Sequence, residues 1–340
     1  MTKNKKLATQ FSLQRFANNP NTQTTLSSGL SAEMKTYYEK RLIDFAEPNL
    51  VHDQFGDDYN IPQNGGKSIE MRKYDSLPKA LTPLTEGVTP DGNSLNVSTI
   101  TATVAQYGDY ITLSDMLKMT AIDNNVVQAL KVLGSQAGRT LDSVTRDVLA
   151  GGTNVIYAEG KASRSALAAT SVLKAEYFFM AAAQLEAMNA PKIDGSYVAI
   201  IHPYAAYDLM RDPEWIDAHK YADPQAYFKG EIGKIGNVRF VSTTEAKVWK
   251  DAADNCPVYD TNKPYGVFST LVLGANAYGK TMVEGGGLQT IIKQLGEGQD
   301  PLNQRATVGW KATKVAERLV EQYMVRIESL STYSKTVNAN

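Results

Sequence analysis

Between residues 126 and 148 the apolar side chains Val126, Leu130, Leu133, Ala137, Leu141, Val144 and Val148 recur at intervals of four, three, four, four, three and four. That is the period of an α-helix with one apolar face. Asp123 stands where its N-cap belongs, and Gly151 and Gly152 stand where it should stop. At ~1.5 Å per residue such a helix runs about 40 Å, long for a globular protein. A rod that long can hide a narrow stripe in two ways: across a sheet, or against another helix in a coiled coil. Gly134 and Gly138 inside it cost about 1 kcal/mol each unless something packs closely on the backbone.

The segment before this helix reads as β-structure. "KSIEMRKYDSL" (67–77) alternates imperfectly, as a strand with little burial does. "VSTITATVAQYGDYITL" (97–113) is rich in Thr, Val, Ile and Tyr, the strongest strand signal in the chain. Between them lie about twenty residues rich in Pro, Gly and Thr, a length that compact domains seldom keep without a use. The expectation is a projecting β-hairpin over 67–113. Its Thr-rich strands hold few large hydrophobes, so it needs a partner surface.

Residues 1–30 contain four basic side chains and no acidic one, with a polar run at 18–29. They read as an extended arm with Phe11, Leu13 and Phe16 as apolar anchors for a neighbouring subunit, the alternative being a disordered tail with no role. "SAEMKTYYEKRLIDFAEP" (31–48) is expected to be the first helix, capped by Ser31 and ended by Pro48, with Met34, Tyr38, Leu42 and Phe45 on one face. Past residue 170 helical and strand patterns alternate. A helix over 171–191 with Ser171 as its cap precedes the buried strand "SYVAIIHP", and strands predominate towards the C-terminus. The fold class is mixed α+β.

One motif points elsewhere. "GANAYGKT" (274–281) matches G-x-x-x-x-G-K-T, the phosphate-cradling P-loop, and an apolar strand precedes it. Phosphate binding also needs a helix directly after the loop, whose N-terminal N–H groups face the anion. Here Gly285, Gly286 and Gly287 follow within a turn, and Leu288–Leu295 reads as a strand. The expected local order is strand–turn–strand, with Lys280 an exposed charge beside the turn. No apolar strand ends in an Asp that could hold Mg²⁺.

Other chemistry is no better supported. His52, His202 and His219 are scattered, and the lone Cys256 allows neither an intramolecular disulfide nor a cysteine zinc cluster. Asp57/Asp58 and Asp212/Glu214 flank turns and prolines and read as solvated or capping groups. A net charge of −1 excludes a strongly basic nucleic-acid binder. No stretch approaches the ~20 apolar residues that span a bilayer, and the N-terminus does not read as a secretory signal. No catalytic, cofactor-binding or metal-binding residue is assigned.

"LTPLTEG" (81–87), "APKIDGSYVAIIHPYAAYDLMRDPEW" (190–215), "GEIGKIGNVRFVSTTEA" (230–246) and "DPLNQRATVGWKAT" (300–313) together carry a family likeness. In order and spacing they resemble the Hong Kong 97-type major capsid proteins of tailed phages, and more narrowly the phage N4-like major capsid family. The resemblance implies an N-terminal arm (1–30), a first helix and connection (31–66), an extended β-hairpin loop (67–113), a peripheral domain with a spine helix (114–170) and an axial domain (171–340) whose C-terminal strands return towards the peripheral domain. It implies hexamers and pentamers of an icosahedral head enclosing double-stranded DNA, assembled in the host bacterial cytoplasm. Scaffolding, portal and decoration proteins are the further partners, with no membrane. About thirty residues before the first helix are too few for a fused scaffolding domain. Residues expected to touch neighbouring subunits are Phe11 and Phe16 in the arm, then Arg72, Leu84, Glu86 and Pro90 in and beside the loop. An encapsulin-like nanocompartment shell and a P-loop nucleotide-binding enzyme acting through 274–281 are the alternatives.

Overall fold

The computed structural model describes residues 50–335 apart from 63, 75–76, 85, 90, 121–124, 220–232, 251, 261–262, 284, 298–299 and 301. The expected arm, the first helix, the Asp123 cap, and Phe11, Phe16 and Pro90 lie outside the described residues. In chain order come β1 (Asp57–Ile61), β2 (Ser68–Tyr74), β3 (Val97–Thr103), β4 (Ala105–Ser114), α1 (Asp115–Thr120) and α2 (Asn125–Ala150). After β5 (Val155–Tyr157) follow α3 (Ala175–Ala187), β6 (Tyr197–Ile201), α4 (Pro203–Met210) and α5 (Pro213–His219). The rest is strand-rich: β7 (Lys234–Ile235), β8 (Val238–Ser242), β9 (Val248–Trp249), β10 (Val258–Asp260), β11 (Lys263–Pro264) and β12 (Val267–Leu273). Last are β13 (Tyr278–Val283), β14 (Gln289–Lys293), β15 (Arg305–Arg318) and β16 (Met324–Ser329).

Two sheets organise these elements. A seven-stranded sheet runs β5–β16–β12–β6–β8–β7, with β9 also paired to β12. Every residue of β6, β12 and β16 is buried, because both faces of the sheet are covered. On one face Phe178, Leu185 and Leu209 from α3 and α4 pack on Tyr197, Ala199 and Ile201. On the other, Val198, Ile200, Leu271 and Leu273 meet Tyr278 and Leu149. Successive side chains of β6 thus serve opposite cores, as a period of two requires.

The second sheet has five strands. β15 pairs with β4 along one edge and with β14 and β13 on further segments, and β1 adds in parallel to β13. α2 lies across this sheet rather than in a coiled coil. Leu130, Leu133, Ala137 and Leu141 pack on Leu113, Val308, Trp310 and Ala312. Gly134 and Gly138 are buried beside that contact line. Towards the C-terminus the deepest positions pass to Thr145 and Leu149, while the expected Val144 and Val148 are only half-buried. The helix there meets the seven-stranded sheet through Leu149, so its buried face follows a second partner. It ends at Ala150, where the Gly151 N–H donates to the Asp147 carbonyl at 3.1 Å.

Two sequence expectations are corrected in their extent. β2 pairs with β3 from Ser68↔Thr103 to Tyr74↔Val97 and no further. The chain then crosses Val104, and β4 pairs with β15 over Arg305↔Ser114 to Lys314↔Ala105. The reason is visible in the side chains: Tyr107, Ile111 and Leu113 supply an apolar face for α2, whereas only Ala102 of β3 is buried. The second correction is at α3, which starts at Ala175 and not after Ser171. Ser171 instead donates to Glu159 and accepts from the Ala168 N–H. The Ala175 N–H is capped by Asp212 Oδ2 at 2.7 Å, a carboxylate from the far side of the helical layer.

Candidate interaction surface

The P-loop-like segment is a strand–turn–strand connection, since β12 ends at Leu273 and β13 begins at Tyr278. Its turn N–H groups are taken by protein carbonyls: Gly274 donates to Tyr323 and Ala275 to Pro191, each at 2.8 Å. An anion would find no free cradle there. The Gly285–Gly287 run lets the chain pass along β15, where the Gly286 carbonyl accepts both the N–H and the hydroxyl of Thr313. Lys280 departs from expectation. It is not an exposed charge; its Nζ donates to the Asp53 carbonyl at 2.8 Å and pairs with Asp58 at 3.2 Å.

That lysine borders a buried polar knot that ties residues 52–58 to α2 and β15. His52 donates its backbone N–H to Asp142 Oδ1 at 2.7 Å, and its Nδ1 lies 2.6 Å from Oδ2. Asp53 receives Thr145 Oγ1 at 2.6 Å and Lys314 Nζ, which also donates to the Leu141 carbonyl. Tyr278 Oη donates to the His52 carbonyl, and burial holds that phenol well above its usual range. Burial likewise pulls Lys314 down, only partly opposed by Asp53. A second knot joins Arg164, Glu328 and Arg326. Arg164 Nε and Nη2 each donate to the fully buried Glu328 at 2.7 Å, and the guanidinium lies 4.0 Å from the Trp249 ring centroid. Each knot ties together side chains far apart in sequence. Among the described residues no group of three His, Cys, Asp or Glu side chains could hold a metal. No helix among them is long and apolar enough to cross a membrane.

What the molecule does present is an unsupported ribbon. β2 and β3 form a two-stranded sheet of their own, in which Met71 and Ala102 are buried and the Val104 N–H donates to the Lys67 carbonyl at 2.8 Å. Two-stranded ribbons are marginal in water on their own. Beyond the paired residues, every described position from 77 to 96 is exposed, including Leu77, Leu81, Leu84, Val88 and Leu95. Leu81 is 82% exposed and Leu84 77%. So many aliphatic side chains in water mark a surface made to be covered. Arg72 is exposed on β2 opposite Thr99, and Glu86 is exposed in the loop. The structure thus puts Arg72, Leu84 and Glu86 on one projecting element.

A family model described as phage capsid protein matches residues 101–313, more than half of the chain. The chain belongs to the phage capsid protein family. Solved capsids share the fold of this capsid protein. The capsid of Ralstonia phage GP4 is similar with a TM-score of 0.63 at 16% identity, over 83% of this chain and 88% of that one. That of cyanophage P-SCSP1u gives 0.63 at 15%, over 83% and 89%. The head of Helicobacter pylori bacteriophage KHP40 gives 0.60 at 13%, over 80% and 88%. The curated proteins include no match. The capsid protein therefore has a mixed α+β fold of the Hong Kong 97 type, and its role is structural.

Sequence reading missed both knots in this capsid protein. Asp53 and Lys314 are 261 residues apart and His52 and Asp142 are 90 apart, so no local pattern joins them. The one available signal was the helix itself: Asp142, Thr145 and Arg146 fall beside its apolar stripe, where a lone polar residue needs a partner.

Proposed function

We propose that this capsid protein assembles as hexamers and pentamers into an icosahedral phage head around double-stranded DNA. The observation that carries the proposal is the β2–β3 ribbon with its 77–96 loop, whose aliphatic side chains are left exposed by the described residues. A neighbouring subunit would supply that cover, and many weak contacts of this kind close a shell through multivalency. On this reading 1–30 is the arm, 67–113 contains the extended loop, 114–170 is the peripheral domain with α2 as spine, and 171–340 is the axial domain. Phe11, Phe16, Arg72, Leu84, Glu86 and Pro90 would be among the subunit contacts. Scaffolding, portal and decoration proteins would join in the bacterial cytoplasm, and the product would be the virion capsid.

Electron microscopy of the purified chain, alone and with a co-expressed scaffold, tests this directly. Shells or capsomers are the expected product. Deleting 78–96 should leave a folded monomer that no longer forms them. A chain that stays monomeric under all assembly conditions would refute the reading, and normal shells from the deletion would refute the role of the loop.

A further inference from the structure

Asp53 and Lys314 are a buried lysine–carboxylate pair, with side chains 15% and 7% exposed. The carboxylates that Lys192, Lys247 and Lys280 meet are Glu186, Asp147 and Asp58, and these are 47–61% exposed. Water solvates those pairs. It scarcely reaches this one, where both charges have lost most of their hydration.

One turn of α2 holds the pair in place. The Leu141 carbonyl accepts Lys314 Nζ at 2.9 Å, and Thr145 Oγ1 donates to Asp53 Oδ1 at 2.6 Å. Oδ2 is the carboxylate oxygen that Nζ meets. Amine and carboxyl are thus kept together in a site that excludes most water, the condition under which proximity accelerates a reaction most. Burial, only partly opposed by Asp53, draws Lys314 below the usual lysine pKa, which favours the neutral amine that can attack. The neighbouring Asp142 carboxylate is occupied by the His52 N–H and Nδ1.

We propose that Lys314 and Asp53 condense to form an isopeptide bond within the chain. Nζ passes one proton to Oδ2 and, as a neutral amine, attacks Asp53 Cγ to form the C–N bond. A second proton follows from nitrogen to Oδ2, the Cγ–Oδ2 bond breaks, and one water leaves. An ammonium and a carboxylate become an amide and water, so no oxidant, cofactor or second chain is consumed. The product keeps the partners already in place. The one hydrogen left on nitrogen serves the Leu141 carbonyl, and Oδ1 keeps the Thr145 hydroxyl, so no polar atom is stranded. Two buried charges disappear in the same step. The bond joins the segment ahead of β1 to β15 across 261 residues of chain.

Mass spectrometry of the whole denatured chain gives the test. The unmodified protein should be lighter than its sequence by one water. Trypsin should release a branched peptide that joins Asp53 to Lys314, with no cleavage after Lys314. Lys314→Arg and Asp53→Ala should each restore the full sequence mass. Thr145→Val should slow the appearance of the branched form by about a hundredfold, because it removes the hydroxyl that steadies the oxygen on which charge develops. An unmodified chain that keeps its full mass after prolonged incubation would overturn the inference. So would a one-water loss that persists in Lys314→Arg, since the dehydration would then lie elsewhere. The branched peptide decides the matter even where a variant does not fold, because it is read on the unmodified chain.

Discussion

His202 caps α4 by accepting the Tyr204 N–H on Nδ1 at 3.1 Å, which requires a neutral ring. Burial beside Tyr204 and Phe268 lowers its pKa to about 4. A lowered histidine pKa means that the unfolded chain binds a proton that the folded chain refuses. Stability is then complete above about pH 6.5 and falls as pH drops from there towards 4, by about 3 kcal/mol. His202→Asn keeps the cap without titrating, so denaturant midpoints measured across this window should lose that component of their slope. Lys314 makes a different point about single residues. Lys314→Met would strand the Asp53 carboxylate in the interior at a cost of about 3 kcal/mol. Adding Asp53→Asn should recover part of it, so the double variant should melt above the sum of the two single changes. Strict additivity would show that the pair is not coupled.

At the scale of elements, local periodicity made some features legible and distance concealed others. The α2 stripe could be read because one helix face meets one sheet over Leu130, Leu133, Ala137 and Leu141. Its last turns could not, because Leu149 answers to a different sheet. The ribbon was readable as two strands with an over-long loop, but not its true length, since β3 and β4 are one uninterrupted pattern in sequence. The exchange of partners at Val104 depends on β15, some two hundred residues later. The Gly285–Gly287 run was correctly a barrier to a helix, and its geometry gives a prediction. A Cβ at Gly286 would collide with Thr313 Oγ1 and stand 3.0 Å from the Val283 carbonyl. Gly286→Ala should therefore cost about 1–3 kcal/mol, read as a lower denaturant midpoint. An unchanged midpoint would mean that the β13–β14 connection yields without loss.

Among the described residues the two large sheets share one helix. α2 packs on the five-stranded sheet through its first half and on the seven-stranded sheet through Leu149, and the two buried knots fasten neighbouring strands to it. Such a shared element couples the sheets into one cooperative unit. Thermal unfolding of the monomer should show a single transition, and Leu133→Ala should lower it as a whole by 2–5 kcal/mol-equivalents, about 2–4 °C for each kcal/mol in a chain this long. Two separated transitions, with only one moved by the substitution, would contradict the coupling.

The continuity of β3 and β4 across Val104 also has a mechanical meaning. A pull on the ribbon tip travels along a single strand into β4, which lies antiparallel to β15 over ten residue pairs. The load then acts along the strand axis, so the ladder resists in shear with many hydrogen bonds sharing the force, instead of being peeled open one bond at a time. Whatever grips the tip of this ribbon is tethered to the longest-paired strands in the sheet.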